Sequence, residues 1–162
     1  MNMDIKKVIG LPSFVLKAIM NNWQPSKGDV VVVVAGCTKE EILAGVCPKM
    51  VLPREVSREG LIPLPDEDML IRIIEKYQNC KVSCKQVHPE LDGKVFDYLI
   101  WSIKLIKENG DDIVFENGFE DKLLALVNVI FELSKEEYLN KQDKLKAEHS
   151  QSWLIFSVML IA

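Results

Sequence analysis

Four cysteines and two histidines are the side chains of this 162-residue chain best suited to nucleophilic or metal chemistry. Cys37 follows Gly36 at the end of a valine run and precedes Thr38, whose spacing to Glu41 is that of a capping box. A thiol at the mouth of a helix lies near the positive end of the helix dipole, which favours thiolate, and the free N–H groups there can hold an anion. The stretch has one glycine and no Gly-x-x-x-x-Gly-Lys. Leu43 stands where a phosphatase-type loop needs arginine, six residues after the cysteine. Cys37 therefore reads first as a small side chain packed where a buried strand turns, and second as the nucleophile of a thiol-dependent enzyme.

Cys80, Cys84 and His88 recur at intervals of four, so on a helix they would share one face and with Cys47 could form the tetrahedral site of a zinc-stabilised binding module. The paired Cys-x-x-Cys of a structural knuckle is missing, and Val82, Val87 and Pro89 oppose a helix, so ordinary packing is the preferred reading. No cofactor is expected. His88 and His149 are the imidazoles that could serve Cys37 or Cys84 as a base, but no spacing supports such a pair. Glu108, Asp111, Asp112, Glu116, Glu120 and Asp121 make an acidic stretch without a basic residue. It lacks the order of a calcium loop and reads as solvated turns, with a surface that favours a basic partner.

The elements that must position these groups follow from periodicity and punctuation. Ile5, Val8 and Ile9, then Phe14, Val15, Ala18 and Ile19, predict two short helices joined by a turn at Gly10–Pro12. Trp23 to Asp29 is turn chemistry. Val30–Ala35, apolar without alternation, predicts a strand buried on both faces. A short helix is expected from Thr38 to about Gly45. Cys47–Pro65, with four prolines, reads as loop with short edge strands near Met50–Leu52 and Leu61–Leu64. Asp66–Asp68 opens an amphipathic helix through Tyr77, its carboxylates at the favourable end of the dipole.

Asp92–Gly93 is taken to open another helix through Phe96, Leu99, Ile100, Ile103 and Ile106, closed at Asn109–Gly110 as a left-handed cap. Asp97, Trp101, Lys104 and Glu108 then trace its polar face, and a tryptophan on a charged face is a candidate contact for a protein partner. Asp111–Glu116 is a short strand. Leu123–Phe131 is apolar nearly all round, as in a central buried helix, with Asn128 as a satisfied core amide. A second capping box, Ser134 to Glu137, marks the start of a separate charged helix.

Lys plus Arg is 20 against 24 Asp plus Glu, a net charge of −4, which argues against a non-specific nucleic-acid binder. Hydrophobic residues make up 48% of the chain, ample for one core. The expected class is therefore α+β, a mostly helical single domain with a small sheet centred on the buried valine strand. Residues 146–162 are expected to be a C-terminal tail or an added element, whose apolar Trp153–Ala162 is half the length of a membrane span. No leader is visible in the first residues, so a cytoplasmic location is expected, with the cysteines as thiols.

Trp23-x-Pro25-x-x-Gly28-Asp29-x-Val31, then Leu64-Pro65 with Leu70, then Phe119-Glu-Asp-Lys-Leu-Leu-Ala125, resembles small uncharacterised accessory proteins of bacteriophages and prophages. The resemblance covers roughly residues 23–35, 61–77 and 115–133 and brings no catalytic residue. It implies a cytoplasmic protein that binds a phage or host macromolecule without a cofactor. The leading expectation is thus a non-enzymatic interaction protein with an unidentified protein partner, contacted by Trp101, Asp97 and Lys104; self-association stays open.

Overall fold

The computed structural model describes residues 1–33, 49–51 and 61–161, the side chains of 33, 49–51, 61 and 146–161 aside. Two short helices come first, α1 (Ile5–Ile9) and α2 (Ser13–Asn22), with Asp4 capping α1 by accepting the Lys7 N–H at 3.0 Å and Pro12 in the cap position of α2. Three short strands follow, β1 (Val31–Val33), β2 (Lys49–Val51) and β3 (Leu61–Pro63), and form an antiparallel sheet in the order β2-β1-β3. The expected edge strands of the proline-rich stretch are β2 and β3. The chain ends of this sheet are tied to the body by Leu64 N–H on Val30 O at 2.8 Å and Met3 N–H on Pro65 O at 2.8 Å.

Helix α3 (Glu67–Gln78) starts where Asp66 accepts the Met69 N–H at 2.8 Å and stops at Asn79, whose φ of 47° is the left-handed conformation that asparagine tolerates. Met69, Leu70, Ile73 and Ile74 form its buried stripe. After α3 come β4 (Lys81–Val87), the hairpin strands β5 (Glu90–Leu91) and β6 (Lys94–Val95), then β7 (Ile100–Ile106) and β8 (Ile113–Phe115). Strands β4, β7 and β8 make the second antiparallel sheet in that order. The last helix, α4 (Lys122–Ile161), is 40 residues long, about 60 Å at 1.5 Å per residue.

With four helices and small antiparallel sheets among the described residues, the architecture is α+β. One apolar cluster joins α1, α2, β1, α3, β7 and the first turns of α4, with Trp23, Ile19, Leu70, Ile74, Leu105, Leu126 and Ile130 fully buried. Strand β4 lays Val82 and Cys84 against it and turns Ser83 and Lys85 outward, the alternation of a half-buried strand.

Two expectations are corrected. The helix from Gly93 to Glu108 does not form; hairpin β5–β6 and strand β7 occupy that stretch. Asp92 and Gly93 have φ of 52° and 77°, the paired positive values of a tight two-residue hairpin turn, so the Asp-Gly pair folds the chain back rather than opening a helix. The second capping box is also absent. Helix α4 runs unbroken through Ser134, whose buried hydroxyl donates back to Ile130 O at 2.6 Å and lies 3.2 Å from Phe131 O. The backbone of α4 continues into the apolar C-terminal run as far as Ile161. The expected helix at Thr38–Gly45 lies outside the described residues.

Candidate interaction surface

Strand β7 sends successive side chains to opposite faces, which separates the residues expected to act together. Trp101, Ile103 and Leu105 face the core, whereas Lys104 points the other way and pairs with Asp112 at 3.6 Å. Trp101 is half-buried, its backbone N–H donates to Phe119 O at 2.9 Å, and the Lys122 ammonium lies 5.1 Å from its ring centroid. Asp97 sits in the turn before β7. The stripe of Asp97, Trp101 and Lys104 is therefore not one surface.

The cysteine and histidine set is likewise dispersed. On strand β4, residues four apart are about 13 Å apart, too far for Cys80, Cys84 and His88 to share an ion. His88 is occupied: Nδ1 lies 3.1 Å from Phe96 O and 3.2 Å from Tyr98 O, and pins the β5–β6 hairpin against the start of β7. Among the described residues no three His, Cys, Asp or Glu side chains converge as a metal ion requires. Burial raises the pKa of both thiols; Glu75 adds to this at Cys80, while at Cys84 the nearby Lys122 works against it. At both positions burial thus disfavours the thiolate, the form that reacts. Cys37 and Cys47 lie outside the described residues.

The Trp23–Asp29 motif is a structural corner. The Asp29 carboxylate is buried and accepts from Trp23 Nε1 at 3.0 Å, Ser26 N–H at 2.9 Å and Arg72 Nη2 at 2.5 Å. Gly28, at φ 93°, supplies the backbone bend that brings Asp29 under the indole. This geometry explains why tryptophan, glycine and aspartate stand at those spacings.

Two depressions among the described residues lie against α4. One, of about 160 Å³, lies between α2, α3 and α4, where Tyr77 donates to Glu137 and Phe14 stacks on Tyr138 with ring centroids 5.1 Å apart. Burial, the hydrogen bond and the charge of Glu137 all push the Tyr77 phenol well above its ordinary value. Tyr77 and Glu137 are spent on each other, and Asn22 and Ser134 donate to the backbone carbonyls of Ala18 and Ile130.

The other, of about 380 Å³, lies between β8 and α4 and is lined by Ile113, Phe115, Leu133 and Leu139, with Glu132, Lys135 and Glu136 on the helix side. Ile113, Phe115 and Leu133 are half-buried against the core, whereas Leu139 is 49% exposed; Val114, 53% exposed, is on the opposite face of β8. Among the described strands β8 has a neighbour on one side only, so its outer backbone edge is open. Asp112 and Glu116 flank the strand, and the two nearest cations are engaged, Lys104 with Asp112 and Lys135 over the Phe131 ring at 5.6 Å. Only Ile113–Phe115 as a strand and the acidic stretch around it were visible in the sequence. The groove itself needs α4 to continue past Ser134, which the misplaced capping box concealed. No family model, curated protein or solved structure matches this chain.

Among the described residues no helix is long and apolar enough to cross a membrane.

Proposed function

We propose that this chain is a small, non-enzymatic interaction protein that works by holding a macromolecular partner in the cytoplasm, of the bacteriophage or prophage accessory kind that its Trp23–Val31 signature resembles. Its scaffold is a mostly helical domain around the valine strand. The observation that carries this reading is the groove between β8 and α4, an apolar trough beside a strand edge that no described strand covers. A contiguous apolar patch rimmed by charge is a common mark of a contact surface. The raised thiol pKa values of Cys80 and Cys84 weigh against a nucleophilic role for either.

Affinity capture from a bacterial lysate tests it, comparing the native chain with Leu139→Asp. A discrete protein recovered in stoichiometric amount by the native chain and lost with the variant, at unchanged melting temperature, is the expected result. Identical recovery by both would remove the groove from the account.

A further inference from the structure

We propose that the β8–α4 groove takes an extended peptide segment of a partner protein, alternately basic and apolar, which adds to the β4-β7-β8 sheet as a fourth strand. This rests on the interaction reading above and specifies its partner. Three observations converge. Among the described residues no strand pairs with the outer edge of β8, and such an edge is the template for strand addition. Alongside runs an apolar trough in which every second side chain of an added strand could be buried, against Ile113, Phe115, Leu133 and Leu139.

The rim decides the charge. Asp111 and Asp112 precede the strand, Glu116 follows it, and Glu132 and Glu136 line the facing helix. Lys104 is held by Asp112, which also accepts the Lys107 N–H at 3.0 Å, and Lys135 lies over Phe131. Asp111, Asp112, Glu116, Glu132 and Glu136 outweigh Lys104 and Lys135, so the charge around the groove is net negative, and cations on an incoming strand complement it. The same charges disfavour a second copy of this chain. Antiparallel pairing of two β8 strands centred on Val114 would set Asp112 of one copy against Glu116 of the other, twice, and like charges directly opposite destabilise a strand pair.

The test uses the full chain and a seven-residue peptide alternating lysine and valine, titrated by calorimetry, with a glutamate–valine peptide as the sign-reversed control. Saturable binding of the lysine peptide alone is expected, weakened about tenfold when salt rises from roughly 0.05 to roughly 0.5 M, as screening of the rim requires. Val114→Pro, placing a proline on the edge, should abolish binding. Because that variant could also unfold β8, the double variant Glu132→Gln with Glu136→Gln provides a second test: it should keep the melting temperature and weaken binding several-fold.

Equal binding of both peptides, or binding indifferent to salt and to the glutamate changes, would overturn the proposal. So would a dimer in sedimentation equilibrium that Val114→Lys dissociates, since the groove would then belong to a second copy. A protein partner captured by the native chain and still captured by Val114→Pro and by the double variant would defeat strand addition while leaving the interaction reading standing. Loss of capture with Leu139→Asp only, without lysine-peptide binding, would do the same.

Discussion

The corner at Asp29 and the groove at β8 are opposites in how they treat their groups. At the corner, one buried carboxylate satisfies an indole N–H, a backbone N–H and a guanidinium, and Trp23 is fully covered. At the groove, Leu139 is half exposed, and among the described residues no strand pairs with the outer edge of β8. A saturated polar cluster fixes one conformation, because each partner left alone would be an unsatisfied buried group. An uncovered apolar trough contributes little to folding and retains surface for a partner. The sharpest sequence motif in the chain thus builds the scaffold, and the candidate contact surface comes from residues with no motif at all.

Mutations should separate the two regions by magnitude. Trp23→Ala empties the most completely buried large side chain and strips Asp29 of a donor, so it should cost about 3–5 kcal/mol in urea unfolding. Asp29→Ala leaves the indole N–H and the Ser26 N–H without their acceptor, and a loss of roughly 2–3 kcal/mol is expected by the same measurement. A loss below about 0.5 kcal/mol for either would mean that the corner is not a structural lock. Leu139→Ala, half exposed in the groove, should change stability by no more than about 0.5 kcal/mol. A cost near that of Trp23→Ala would make the groove wall part of the core.

Much of the first half of the chain was legible because its signals are local. The Asp66 cap, the α3 stripe and the two N-terminal helices follow from residues within a few positions of each other. The second sheet was not legible in the same way. In β7, Ile100, Ser102, Ile103 and Leu105 are all buried, so the strand has little polar–apolar alternation. Its apolar positions, taken with Phe96 and Leu99, also fit a helical period, and tertiary burial on both faces decided between them. A usable signal was present: Asp92-Gly93 between β5 and β6 is hairpin chemistry, and Val82 with Cys84 on β4 alternate with polar neighbours. Ser134 shows the converse. Its spacing to Glu137 imitates a cap, but the buried hydroxyl finds acceptors in the preceding turn, and the helix continues. The groove depends on that continuation and on a strand 18 or more residues earlier in sequence, a juxtaposition no local pattern encodes.

Amide hydrogen exchange with and without the lysine–valine peptide addresses the contrast most directly. Slower exchange confined to Ile113–Phe115 and the adjoining turns of α4, with Trp23–Asp29 unchanged, is the predicted result. Protection that appears at the Trp23 corner instead, or nowhere on β8, would contradict the assignment of one region to scaffold and the other to binding.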